Sequence, residues 1–170
     1  MTPSDRADLL AKFEAGRKEL LASIDGLSDA DGTAKPAGDR WSAIGNIEHL
    51  AIVETYLLRR IQEAAPVDAE PFPGREAVIF ERVKIRTTKL SAPAAAQPSG
   101  ECATLAAAMG RFDAARSLTV AFLQSCDRDL RLCVMTHPLI GAMSGMECLQ
   151  VLAGHPFRHA DQIRELRAGL

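Results

Sequence analysis

The chain has 170 residues, of which 47% are hydrophobic and 25% are charged, and its formal net charge is -2. This length and composition suit one globular domain with a sizeable core, so we predict a single domain over residues 1–170. The basic residues are scattered along the chain, which argues against a nucleic-acid partner. The charged N-terminus does not resemble a secretory signal, and no apolar run nears the ~20 residues that span a bilayer. We expect a cytoplasmic protein without a membrane partner.

The four cysteines show no metal-type or redox-type pairing in the sequence, since no two of them are spaced as CxxC. Disulfides are rare in a reducing compartment, and a chain with this much apolar content does not need them. We therefore expect small core residues or free thiols, and Cys148 in particular is interpreted as core packing.

Two long segments in the first third of the chain have helical periodicity. The first helix is predicted over residues 5–25, with Ser4 as its N-cap and Gly26 ending it. Residues 27–41 are predicted to form a loop. The second helix begins after Ser42 as N-cap and ends before Pro66, and its expected inward side chains are Ile44, Ile52, Val53, Tyr56, Leu57 and Ile61.

Five prolines within residues 65–100 exclude one continuous helix there and predict a long crossover, with a short helix around residues 76–86. The third helix is predicted from after Ser99 to about Ser125, with Leu105, Met109, Phe112, Leu118 and Phe122 buried. The fourth begins at the capping box formed by Ser144 and Glu147. Four amphipathic helices and no predicted strand indicate an all-α four-helix bundle, with the Pro-rich crossover joining its second and third helices.

Two histidines lie on the predicted inward stripe of the last helix. His155 and His159 are four residues apart, which places them on one face with Cβ atoms ~5–6 Å apart. His49 lies among the inward positions of the second helix. Imidazole nitrogens are good ligands for divalent transition metals, and metal sites in bundles are built from side chains on facing helices. The pattern makes His49, His155 and His159 the candidate ligands of one divalent ion.

An alternative is that the three histidines are ordinary core residues whose nitrogens are satisfied separately. A buried nitrogen without a partner costs ~1–3 kcal/mol, and one shared ion would satisfy all three rings at once. The fourth histidine, His137, precedes a proline in an irregular segment, so its role is left open between structure and site. Glu48, Asp161 and Gln162 adjoin the ligand positions and could orient the imidazoles, although solvated side chains are the default expectation for them.

Three stretches resemble those of a known family. The segments are WSAIGNIEHLAIVE, HPLIGAMSGMECL and HPFRHADQIREL, and together they are similar to the DinB-like superfamily of metal-binding four-helix bundles, which includes bacillithiol- and mycothiol-dependent transferases. The resemblance places the family's metal triad on His49, His155 and His159. It implies a divalent ion (zinc, nickel, iron or manganese), a homodimer, and a low-molecular-weight thiol as a candidate substrate.

One residue departs from a regular helix. Pro156 lies between the two ligands of the last helix, and a proline there costs ~3 kcal/mol, removes a backbone donor and can kink the helix. Two functional hypotheses follow. In the first, an open metal site activates a small thiol or water for reaction with an electrophilic small molecule. In the second, the ion is mainly structural, in a non-catalytic stress-response bundle.

Overall fold

The computed structural model describes residues 1–36, 38, 40–87 and 91–169. Four long helices form the bundle that the sequence predicts, namely α1 (Pro3–Ile24), α3 (Ala43–Glu63), α5 (Leu105–Ser125) and α6 (Gly145–Arg167). Two shorter helices are α2 (Asp29–Thr33) and α4 (Arg75–Lys84), and single 3₁₀ turns occupy Ala94–Ala96 and Leu130–Leu132. The long connection from α3 to α5 carries α4 and the first 3₁₀ turn, as the Pro-rich crossover required.

The helix starts show how local sequence sets the element bounds. Ser42 caps α3 by accepting from the Gly45 amide, and Ser144 with Glu147 forms a complete capping box at α6. The N-cap of α1 is Thr2, so the expectation of Ser4 was wrong. Pro3 explains the difference, because proline at the first helical position has a suitable φ and no amide to leave unpaired.

A minor feature of the fold is a set of short strands, where the sequence predicts none and the segment before α6 was expected to be irregular. A small antiparallel sheet contains β1 (Ala65–Pro66), β2 (Cys133–His137) and β3 (Gly141–Ser144), in that order. The pairing of β2 with β3 is a hairpin, and residues 138–140 form its turn. The sequence signal was weak because both strands are short and lack strict alternation. The loop predicted over residues 27–41 likewise contains the short helix α2.

Helix α6 is the centre of the fold, because it packs against α1, α3 and α4. Its stripe of apolar residues is buried, and Cys148, Leu152 and Ile163 are each at most 1% exposed. Two side chains that were expected inside are outside: Tyr56 is 46% exposed and Leu118 is 63% exposed. In both helices the core stripe is rotated away from these positions toward residues such as Glu54 and Arg116, which form a buried ion pair.

Three arginines satisfy carbonyl groups at helix ends. Arg6 donates to carbonyls at the end of α5, Arg128 does so at the end of α3, and Arg167 donates to the Ser23 carbonyl near the end of α1. Cationic side chains at a helix C-terminus satisfy carbonyls that the helix leaves unpaired.

Within the described ranges, none of the helices combines the length and hydropathy needed to cross a membrane.

Candidate metal centre

The structure brings His49 of α3 together with His155 and His159 of α6. One ligand nitrogen from each ring lies within 4.8 Å of the others. The ring centroids are 4.6 Å apart for His155 and His159, 4.9 Å for His49 and His159, and 5.1 Å for His49 and His155. Three imidazoles from two helices thus converge on one point in the bundle.

A hydrogen bond fixes the orientation of His159. Its Nδ1 lies 2.7 Å from Oδ1 of Asn46, one turn into α3. The Asn46 amide is itself oriented, because its Nδ2 donates to the Ser42 carbonyl at 2.9 Å. The Asn46 oxygen must therefore accept from Nδ1–H of His159. This leaves the lone pair of His159 on Nε2, the nitrogen that faces the other histidines.

The long crossover orients His49. Its Nδ1 lies 2.6 Å from the carbonyl oxygen of Ala96, in the 3₁₀ turn that precedes α5. A carbonyl can only accept, so Nδ1 carries the proton and Nε2 carries the lone pair. Such a partner on the far nitrogen is the usual arrangement for a metal-binding histidine, since it sets the tautomer and the ring direction.

The third ring, His155, makes the close contact that defines the centre. Its Nε2 lies 3.0 Å from Nε2 of His159. Because Nε2 of His159 bears a lone pair, the contact is either a hydrogen bond from His155 or the approach of two lone pairs to one cation. Two nitrogens bound at ~2.0–2.1 Å to one ion lie ~3–3.4 Å apart, so the donor set fits a divalent metal with small side-chain adjustments.

Burial makes the three rings neutral, which is the state a metal requires. Desolvation lowers the pKa of His49, while the hydrogen bond to the Ala96 carbonyl partly opposes that shift. Burial, followed by the nearby charges of the other rings and of Arg158, holds the pKa of His155 and of His159 well below the ordinary histidine value. At neutral pH each of the three rings therefore has one unprotonated nitrogen.

Trp41 forms an aromatic wall beside the cluster. Its ring centroid lies 4.7 Å from that of His49 and 6.2 Å from that of His159, nearly parallel to the latter with an interplanar angle of 14°. Trp41 immediately precedes the N-cap of α3, so the start of that helix fixes its position. It is the sole tryptophan of the chain, which makes its emission a specific reporter of this centre.

Pro156 does not divert His155 from the cluster. Helix α6 runs through the proline without interruption from Gly145 to Arg167, and His155 and His159 remain on one face. The two histidines therefore keep their helical spacing despite Pro156.

His137 lies near the centre but is used by its own hairpin. Its Nδ1 accepts from the backbone amides of Leu139 and Ile140, both at 3.2 Å. Burial lowers its pKa, and its charge is among those that lower the pKa of His155. His137 is outside the three-residue cluster, and its Nδ1 lone pair is already engaged.

Glu48, Asp161 and Gln162, which adjoin the ligand positions, differ in burial and in their partners. Glu48 is only 1% exposed, so the expectation of a solvated side chain was wrong; it accepts from the backbone amides of Gly100 and Cys102 and anchors the crossover to α3. Asp161 is exposed and pairs with Arg164. Gln162 is partly buried, with its Oε1 buried and without a protein partner. None of these side chains has a hydrogen bond to a ring of the triad among the described contacts.

Cys148 belongs to the core, as expected. It is fully buried, and burial together with the charges of Glu54 and Glu147 raises the pKa of its thiol strongly. A neutral thiol in this position neither ligates nor attacks. All four cysteines are free thiols.

Sequence reasoning missed two groups that orient the rings. Asn46 lies three residues before His49 on the same helix face, so an inward amide beside a candidate ligand was a usable signal. The Ala96 carbonyl carried no such signal, because a backbone group in an irregular crossover is placed only by the tertiary fold.

Comparison with known proteins places this geometry in a family. The profile described as the DinB superfamily matches residues 12–163. The protein YuaE of Bacillus subtilis is 23% identical over 155 residues, which cover 91% of this chain and 94% of YuaE. The crystal structure of TT2238, a four-helix bundle protein, has a TM-score of 0.60 at 21% identity and covers 96% of this chain and 98% of that one, which supports the fold. The chain belongs to the DinB superfamily.

Proposed function

We propose that the protein binds one divalent transition-metal ion through His49, His155 and His159. We further propose that it uses the ion to activate a small thiol, or a water molecule, for reaction with an electrophilic small molecule. The single observation that carries the proposal is the convergence of three ring nitrogens within 4.8 Å of one another inside the bundle. Membership of the DinB superfamily adds support.

The residues of the chain would divide the work. The three imidazoles would hold the ion, while Asn46 and the Ala96 carbonyl keep the lone pairs of His159 and His49 directed at it. Three protein ligands leave coordination positions for an outside molecule, as in catalytic rather than structural zinc sites. A bound divalent ion lowers the pKa of a coordinated thiol or water, so that the nucleophile is available at neutral pH.

The reaction class follows from that activation. The nucleophilic sulfur or oxygen would form a bond to the electrophilic carbon, the leaving group would depart with its electron pair, and the nucleophile's proton would pass to solvent. Imidazole ligands suit zinc, copper, iron and nickel, so the donor set does not select one metal.

A turnover assay tests the catalytic part. Protein loaded in turn with zinc, nickel, iron or manganese is incubated with small thiols and a generic electrophile such as a chloronitroarene, and thioether formation is followed. A parallel assay with an activated ester follows hydrolysis. The His159→Ala variant, treated identically, is the control. Turnover confined to the unsubstituted protein supports the proposal, and equal rates in both proteins contradict it.

A second candidate is a structural ion without catalysis. The burial of His49 and His159, which are 6% and 3% exposed, favours it, because an ion there would link α3 to α6. A ligand that binds only the native state stabilises it by mass action. A large rise in Tm on metal addition, with no turnover and no change in metal spectrum when thiols are added, would select this function.

The setting of either function is part of the proposal. We propose a cytoplasmic homodimer that acts on a small molecule. The four free thiols are compatible with a reducing compartment. The dimer rests on the family resemblance, and the molar mass of the protein in solution tests it.

A further inference from the structure

The turn of α6 between the two ligands contains a carbonyl that the helix itself cannot satisfy. In a regular α-helix the amide of residue 156 would donate to the carbonyl of Leu152, but Pro156 has no amide hydrogen. Leu152 is 1% exposed, so water has little access to this region. A buried carbonyl without a donor costs ~1–3 kcal/mol.

Arg116 of α5 supplies the missing donor. Its Nη2 donates to the Leu152 carbonyl oxygen at 3.0 Å. The same guanidinium pairs with Glu54 of α3 through two contacts of 2.9 Å, one from Nε and one from Nη2. The exposed fractions are 5% for Arg116 and 2% for Glu54. The guanidinium is thus held through its Nη2 hydrogen bonds and the charge contact of Nε, while Nη1 has no hydrogen-bond partner among the described residues.

Aromatic and backbone packing fixes the same turn from other sides. The Arg116 guanidinium carbon lies 4.2 Å from the centroid of the Phe13 ring of α1. A Cβ added at Gly16 of α1 would lie 3.2 Å from the Ala153 carbonyl, and one added at Gly154 would lie 2.9 Å from the Phe80 carbonyl of α4. Helices α1 and α4 therefore approach the proline turn at backbone distance.

We propose that Arg116 is a positioning residue of the metal centre. By donating to the Leu152 carbonyl, it replaces the amide that Pro156 lacks and fixes the turn that carries His155 at its contact with His159. This inference rests on the proposed metal binding. Arg116 acts through the backbone of α6, and Glu54 holds Arg116 in the orientation that reaches the Leu152 carbonyl.

Removing Arg116 should weaken metal binding because it leaves the Leu152 carbonyl without a hydrogen-bond donor. Without Arg116, the Leu152 oxygen either stays unpaired or draws water into the turn, and both outcomes shift the backbone next to His155. Groups that orient metal ligands typically contribute 10–100-fold in metal affinity. Replacing Pro156 by alanine restores an amide at the required position, so it should remove the need for Arg116.

The test is a thermodynamic cycle on Ni²⁺ affinity, followed by the quenching of Trp41 emission, with Tm measured in parallel. The variants are Pro156→Ala, Glu54→Leu/Arg116→Met, and the two combined. The double replacement removes both buried charges, so that neither is left unpaired. We expect the double variant to bind Ni²⁺ about tenfold or more weakly. Adding Pro156→Ala should restore most of that loss, and Pro156→Ala alone should bind like the unsubstituted protein.

Other results would overturn the inference. A merely structural ion pair predicts a lower Tm with unchanged Ni²⁺ affinity of the folded protein, and no rescue by Pro156→Ala. If the double variant does not fold, Arg116→Lys replaces it in the cycle. A lysine keeps the positive charge but cannot bind the Glu54 carboxylate and the Leu152 carbonyl through one planar group. Weaker Ni²⁺ binding by this variant, rescued by Pro156→Ala, is again the required result. Absence of Ni²⁺ binding by the unsubstituted protein would instead refute the proposed function.

Discussion

Asn46 determines which nitrogen of His159 is available to a metal. Its amide oxygen accepts from Nδ1 of His159 at 2.7 Å, and its amide nitrogen donates to the Ser42 carbonyl at 2.9 Å. The relation joins the N-cap turn of α3 to the middle of α6. The ring of His159 therefore presents an unprotonated Nε2 to the centre because of where α3 begins.

Replacing Asn46 by alanine should weaken metal binding about 10–100-fold, because the tautomer and ring direction of His159 would no longer be fixed. Asn46→Asp keeps an acceptor at the same distance and should retain most of the affinity. Competition of each protein with a chelator of known affinity measures the difference. Equal losses in both variants would mean that the hydrogen bond is not what matters.

Replacing His137 by alanine should leave the metal content unchanged, since its Nδ1 accepts two hairpin amides rather than facing the cluster. Because those amides lie in an exposed turn and can bond to water instead, the free energy of unfolding should fall by only ~1 kcal/mol. Metal analysis and denaturant unfolding of His137→Ala, beside His155→Ala, check this. Loss of metal from both variants would place His137 in the centre.

The sequence predicted the helical bundle, and the inward placement by which three histidines come together, from periodicity. The stripe that contains His155 and His159 repeats at helical intervals, and the caps at Ser42 and Ser144 are encoded within a few residues. Such local patterns need no knowledge of the rest of the chain.

What the sequence did not predict depends on distant parts of the chain. Tyr56 and Leu118 fit apolar stripes in the sequence, yet both side chains are exposed. The core-facing sides of α3 and α5 instead contain Glu54 and Arg116, which form a buried ion pair. A charge is not expected in a core until its partner is known. The orienting carbonyl of Ala96 and the short strands of the hairpin are likewise set by tertiary contacts, which override weak local signals.

The metal-free protein should lose stability as the pH falls below about 6.5. Burial, as the main cause, lowers the pKa of His49, His155 and His159 in the folded state, whereas the unfolded chain takes up protons near the ordinary value of 6.5. The unfolded state then binds more protons, so each ring that remains neutral removes about 1.4 kcal/mol per pH unit below that value. Denaturant unfolding between pH 7.5 and 5 measures the slope.

The matched variant for this experiment is His155→Leu. It should show a slope smaller by the contribution of one ring, because leucine takes up no proton. Stability that stays flat, or rises, as the pH falls below 6.5 would contradict the neutral, buried state of the cluster.

Two glycines offer a paired test of how tightly α4 lies on α6. Gly154→Ala should destabilise the protein by ~1–3 kcal/mol, because the new Cβ would lie 2.9 Å from the Phe80 carbonyl and force α4 away. Gly110→Ala, in α5, meets no atom within 4 Å and should stabilise by ~0.5–1 kcal/mol. Thermal unfolding of both variants measures the contrast, and equal effects would show that α4 is not held against this turn.

The most direct measurement is the metal content of the purified protein, determined by elemental analysis together with protein concentration. The proposed metal centre predicts about one equivalent of a divalent transition metal in the unsubstituted protein and in His137→Ala. The metal should be lost from His49→Ala, His155→Ala and His159→Ala. Titration of chelator-stripped protein should restore that equivalent and change the emission of Trp41, which lies 4.7 Å from His49. A folded protein that neither contains nor takes up metal, or that keeps the metal without these histidines, would contradict the proposed metal centre.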